Sequence, residues 1–351
     1  MRRVRKRSRL WWLGLLVLTA AVLGALDLVR KSREMQQPYT LEEVPEWQVV
    51  KVEGQRWTLA SVEEPWRRTE AWLEHPEARL RCDTVILLGG ALEGAELLRG
   101  SEDYARAANT FILTHPLQQF ITEQRWTSWS AWDWWQLPEN LRREFSQNLG
   151  ALRALVQASG ASAGPEPRFS GKVVVGGGSL GAPFAAMASA LFPEPVDGIM
   201  LAYAFTNYPV VIRAELYRQG LIHFKVPSPQ TTTLQELQAL GVRILARVLG
   251  EVFGNMLKYG QIELYLVIDP STPVLFVNGR NDKLAPPEAY RPMWEAVSGP
   301  KEEVWLEGDH IDPSDAQKMR TLVEKMHRWT ASRQLRQCQP APETANTVSR
   351  P

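Results

Sequence analysis

Along this chain the apolar residues fall into short blocks bounded by Gly, Pro or polar clusters, and the period changes from block to block. Trp47-Gln48-Val49-Val50-Lys51-Val52 and Trp57-Thr58-Leu59-Ala60-Ser61-Val62 flank the turn-like Glu53-Gly54-Gln55-Arg56, which predicts an antiparallel hairpin. Blocks at residues 84–88, 110–114, 172–175, 198–201, 273–277 and 303–306 are apolar runs without alternation, as strands buried on both faces require. Between them lie stretches of helical character. Leu234, Leu237, Ile244, Leu245, Val248, Leu249, Val252, Phe253 and Met256 recur at three- and four-residue spacing, as do Met319, Leu322, Val323, Met326 and Trp329. Runs alternating with helices predict a mainly parallel sheet covered by helices on both faces, with functional groups at the carboxyl ends of its strands. The first of those helices falls in an insertion at about 205–268, read either as ordinary helix packing or as a cap over a pocket.

The amino terminus follows another rule. Arg2, Arg3, Arg5, Lys6, Arg7 and Arg9 precede the 17 uncharged residues from Leu10 to Leu26, with Trp11 and Trp12 at the boundary. As a helix this run spans roughly 25 Å at about 1.5 Å per residue, enough to cross a bilayer. Basic residues orient their flank toward the cytoplasm, so the expectation is a single-pass anchor over 10–26 with the body outside the cell or in the periplasm. A cleaved signal peptide is the competing reading.

Charge adds an exclusion. The whole chain carries +1, but without those six residues 34 basic face 39 acidic residues, so the body is near −5. Nucleic-acid binding, which needs a basic face, is not expected. Hydrophobic residues make up 44%, and 24 Gly and 24 Pro punctuate the 351 residues, as in a globular chain. The two cysteines, Cys82 and Cys338, make neither a disulfide framework nor a zinc site; they read as unpaired thiols, although export would permit a bond. The organisation expected is a basic flank and anchor over 1–34, a catalytic body over 35–337 and a disordered tail over 338–351.

Candidate chemistry begins after the run at 172–175. Gly177-Gly178-Ser179-Leu180-Gly181 is a G-x-S-x-G pattern between a predicted strand and a predicted helix over 182–191. A serine on such a turn is thrust outward, and small neighbours permit close packing beneath it. Asn278-Gly279-Arg280-Asn281-Asp282 then carries an acid past the end of another strand. Glu307-Gly308-Asp309-His310 carries a histidine past the end of the next.

In that order of nucleophile, acid and histidine, over residues 83–333, the chain resembles the α/β-hydrolase superfamily, serine esterases and lipases among them. The resemblance implies Ser179 as nucleophile, His310 as base and Asp282 as its acid, with Asp309 and Asp312 as alternative acids. It further implies oxyanion donors at Leu180 and in the loop Leu88-Gly89-Gly90-Ala91, Ala91 first and Gly90 second. Many members begin that loop with His-Gly, and this chain does not. His115, after another strand, and Trp126 and Trp129 in the tryptophan-rich 126–135 are candidate pocket residues, with ordinary packing as the alternative. The implied reaction is hydrolysis of a carboxylic ester, thioester or lipid ester with no metal or organic cofactor. A peptidase or amidase, or a non-catalytic binding domain, are the other readings.

Overall fold

The computed structural model describes residues 37–74, 80–89, 108–114, 131–160, 169–214, 233–256, 261–267, 270–310 and 315–340, with single positions among 19–30 and at 258. The chain divides into two compact units, one of Met1–Gln37, Trp126–Arg142 and Tyr208–Tyr259, the other of Pro38–Arg125, Arg143–Asn207 and Gly260–Pro351.

The second unit holds the sheet. Its strands are β1 (Trp47–Glu53), β2 (Arg56–Ser61), β3 (Arg68–Glu74), β4 (Leu80–Leu88), β5 (Asn109–Thr114), β6 (Phe169–Gly178), β7 (Gly198–Ala202), β8 (Val274–Gly279), β9 (Lys301–Leu306) and β10 (Cys338–Pro340). They are ordered β1-β2-β3-β5-β4-β6-β7-β8-β9, with β10 paired to β4. The expected hairpin is present: β1 and β2 pair antiparallel from Trp47↔Ser61 to Glu53↔Arg56. From β5 to β9 every pairing along the path is parallel. Sequence reasoning missed β3, which bridges these two parts. Its buried positions are Thr69, Ala71 and Leu73, two of them too weakly apolar to announce a strand.

Helices cover both faces, and β8 makes the division plain. Leu275 and Val277 join a buried cluster with Leu322, Val323, Met326 and Trp329 of α6 (Ala316–Ser332). On the alternate face Phe276 meets Tyr290 and Trp294 of α5 (Pro287–Ala296), with ring centres 5.6 and 5.5 Å away. Every residue of β8 is buried as a result, which is why its sequence shows no alternation. α1 (Ala131–Ser159) meets α2 (Ala182–Leu191) through Phe145 and Phe184, 4.8 Å apart. Loss of a side chain such as Met326 from such packing costs about 2–5 kcal/mol.

Two corrections concern the carboxyl-terminal end. Cys82 and Cys338 are bonded, not free. The run from Cys338 to Pro340 pairs antiparallel with β4, whereas a structureless tail was expected from Cys338 onward. The Asp83 N–H donates to the Gln337 carbonyl, and the Gln337 N–H donates to Asp83 Oδ2, both at 2.9 Å. Three strand residues are too few for periodicity to reveal, so this strap left no pattern in the sequence.

In the first unit, α3 (Thr233–Met256) spans the segment whose periodicity predicted a helix. Val242, Ala246, Gly250 and Gly254 are buried, while Ile244 and Val248 are 57% and 55% exposed. The buried row is made of small residues because the segment through Pro209 and Arg213 lies against it: a Cβ on Gly254 would stand 2.4 Å from the Pro209 backbone. The insertion also contains α4 (Ile262–Leu266), which belongs to the second unit and packs on α2. Among the described residues no helix is long and apolar enough to cross a membrane, and most of the expected anchor at 10–26 lies outside them.

Candidate active site

The carboxyl ends of β6, β8 and β9 each deliver one polar side chain to a common point. After β6 the chain turns sharply at Ser179, whose φ of +50° is a left-handed value that non-glycine residues seldom adopt. The turn is possible because Gly177 and Gly181, two residues to either side, have no Cβ. One on Gly177 would stand 2.2 Å from the Gly181 carbonyl oxygen, and one on Gly181 would stand 2.6 and 2.7 Å from the carbonyl oxygens of Gly89 and Leu88. The elbow therefore presses against the end of β4, and α2 begins at Ala182, just beyond it.

Asp282 lies three residues past the end of β8 and is 7% exposed. Its Oδ1 accepts the N–H groups of Leu284 and Ala285 at 2.9 and 2.8 Å, which compensates the carboxylate for lost water. Its Oδ2 lies 2.8 Å from His310 Nδ1. The other imidazole nitrogen, Nε2, is 3.3 Å from Ser179 Oγ. Ser179, His310 and Asp282 thus form one continuous line, as the sequence order implied.

Asp309 has a different part from the alternative acid considered for it. Its Oδ1 accepts the N–H groups of Lys283 and His310, both at 2.8 Å, and so ties the histidine loop to the acid loop. Partial burial raises its pKa, but those two N–H donors and the Lys283 charge outweigh it and hold the carboxyl below its ordinary range. Asp312 lies outside the described residues, as do Gly90, Ala91, His115, Trp126 and Trp129. Of the expected oxyanion donors only Leu180 is described, on the residue after Ser179. Among the described residues no group of three or more His, Cys, Asp or Glu side chains could hold a metal.

Sequence reasoning missed Tyr203. It directly follows β7, is fully buried, has a φ of +51° and stands 5.4 Å from the His310 ring in a T-shaped pair. Its place after a strand was legible, but nothing in the sequence marks the backbone conformation that turns it toward the histidine.

The arrangement has what acyl transfer needs: a hydroxyl on a projecting turn, a base within reach, an acid on the far nitrogen of that base and a backbone N–H beside the hydroxyl. No family model and no curated relative matches the chain. Among solved structures it is similar to acetyl xylan esterase 1 from Thermoanaerobacterium sp., at 15% identity and TM-score 0.49 over 84% of this chain and 98% of that one. It is similar to an acetyl xylan esterase from Paenibacillus sp., at 15% and 0.44 over 85% and 92%. A hydrolase from Oleispira antarctica is similar at 14% and 0.43, over 74% and 94%. Each TM-score is below one half, so the fold is identified from the chain's own strand order, its elbow and the succession of serine, acid and histidine at strand ends. On those grounds this chain has the α/β-hydrolase fold.

Proposed function

We propose that this protein is a membrane-anchored serine hydrolase that cleaves carboxylic esters through an acyl-enzyme. The observation that carries the reading is the unbroken line from Ser179 Oγ through His310 to Asp282, at 3.3 and 2.8 Å. His310 Nε2 takes the hydroxyl proton as Oγ attacks the acyl carbon. Asp282 holds the Nδ1–H tautomer and stabilises the imidazolium that forms. The Leu180 N–H stabilises the developing alkoxide, together with a donor from the loop after β4, for which Ala91 and then Gly90 are the candidates. Collapse expels the alcohol, which receives the proton from His310, and water then repeats the sequence on the acyl-enzyme to release the acid. His115, Trp126 and Trp129 are proposed pocket residues on the strength of their positions after β5. No step calls for a metal or organic cofactor.

Anchoring is supported by the six basic residues ahead of 17 uncharged ones, and a catalytic domain outside the cytoplasm by the positive-inside rule. The Cys82–Cys338 bond fits an oxidising compartment. Two experiments on the full-length chain test the reading. A fluorophosphonate should label Ser179, and a panel of acyl esters of rising chain length should be hydrolysed; labelling at another serine, or no turnover of any ester, overturns the chemistry. Membranes washed with carbonate should retain the chain, and its recovery uncleaved in the soluble fraction overturns the anchor.

A further inference from the structure

Three non-glycine residues among those described have positive φ, and two of them, Ser179 and Tyr203, are at this site. Strain of this kind persists only where surrounding contacts over-determine it. For Tyr203 those contacts can be named. Its N–H donates to the Val277 carbonyl at 2.7 Å, which fixes the end of β7 to β8. Its ring is wholly buried in the cluster with Leu306, Met326 and Trp329, so its position is set by the core and not by solvent. Its Cε1 lies 3.1 Å from where a Cβ on Gly279 would stand, and the carbonyl oxygens of Gly308 and Asp309 lie 2.9 Å from the same point. Tyrosine ring and histidine loop thus converge on the missing side chain of Gly279, three residues before Asp282. Among the described residues the hydroxyl has no hydrogen-bond partner.

We infer that Tyr203 is a positioning residue for His310: its strained backbone sets an aromatic ring against the imidazole and holds that ring in the one orientation that joins Asp282 to Ser179. A T-shaped pair at 5.4 Å and 75° resists the rotation that would swing Nε2 away from the serine. The part is played by the ring and not by the hydroxyl. Burial, and then the charges of Asp282 and Asp315, push the phenol up to about 12, so it stays neutral and takes no proton in the reaction. The charged groups around the pair are Asp282 before α5, Asp309 on the histidine loop, and Asp315 and Lys318 at the start of α6.

The inference rests on the proposed ester hydrolysis for its kinetic consequence only, and its structural part is tested without turnover. In the full-length chain with labelled histidine, a nuclear Overhauser effect between the Tyr203 and His310 rings is expected, with a downfield resonance for the proton between His310 and Asp282. Tyr203→Phe should keep both, and hold kcat/KM within about threefold. Tyr203→Leu should lose the downfield resonance and lower kcat about 10²-fold, with KM little changed. Absence of the ring-to-ring effect in the wild type overturns the inference even if Tyr203→Leu does not fold. So does a Tyr203→Leu protein with an unaltered downfield resonance or unaltered kcat, or a Tyr203→Phe protein as impaired as the leucine variant. If no ester is turned over and no probe bound while the ring contact and its resonance behave as expected, the reaction is misassigned and the positioning stands.

Discussion

At their carboxyl ends β6 and β7 run into left-handed residues, and β8 and β9 run into loops that crowd each other around Gly279. At its amino end β4 runs into a short antiparallel partner and a disulfide. The first edge contains unfavourable backbone, a buried carboxylate and a buried hydroxyl with no partner among the described residues. The second contains ladder hydrogen bonds, a covalent bond and a buried carboxylate, Asp83, whose Oδ2 accepts the Gln337 N–H; the left-handed residue nearest to it, Gln334, lies outside its strands. Each kind of free energy has its own place in the sheet. Backbone strain lowers stability where it aims side chains, and the cross-link restores it about a strand's length away, where nothing has to be aimed.

The sharpest way to test this separation is to remove chemistry from the first edge and leave its shape. Ser179→Ala should lower ester turnover by about 10⁴-fold or more and abolish phosphonate labelling, with a melting temperature within a few degrees of wild type. Damage to the shape comes next. Gly181→Ala sets a Cβ 2.6 Å from one carbonyl oxygen and 2.7 Å from another, both backbone, so the elbow must move against β4. Activity should fall about 10²-fold and stability by about 1–3 kcal/mol, read from kcat/KM and from denaturant unfolding.

At the other edge the effect should be reversed in kind. Replacement of Cys82 and Cys338 together by serine should lower stability by roughly 2–5 kcal/mol and leave kcat within about twofold. A loss of kcat as large as that of Gly181→Ala would break the separation. The smallest effect expected is in acid. The Asp309 carboxyl is held below its ordinary value of 3.8, so the stability it gives the histidine loop is complete above that value and lost as pH falls through the lowered one. Asp309→Asn should therefore flatten the last part of the acid unfolding curve, below about pH 4. Its side chain is half exposed, so the change should be modest.

Legibility divides along the same line. The parallel strands could be read because burial on both faces leaves unbroken apolar runs, as in Val274 to Val277. The Ser179, Asp282 and His310 positions could be read because a strand end fixes where a following side chain goes. What could not be read depends on partners distant in sequence. Tyr203 looks like any residue after a strand until β8 and the histidine loop are beside it. Thr69 and Ala71 face inward only because β2 and β5 flank them. On α3, periodicity found the helix but not the part played by Gly250 and Gly254, since a glycine marks a buried position only when a backbone comes close enough to need it.

The bond between Cys82 and Cys338 also sets a schedule. The two cysteines are 256 residues apart, so at about 5–20 residues per second Cys82 is made roughly 13 to 50 s before its partner exists. Until the interval ends β4 lacks β10, and Cys82 is without its disulfide partner. Most strands of the sheet are made before Cys338 exists, so the covalent bond cannot guide their pairing while they emerge. Nascent chains stopped short of Cys338 should accordingly carry a Cys82 thiol open to alkylation, while released chains should not.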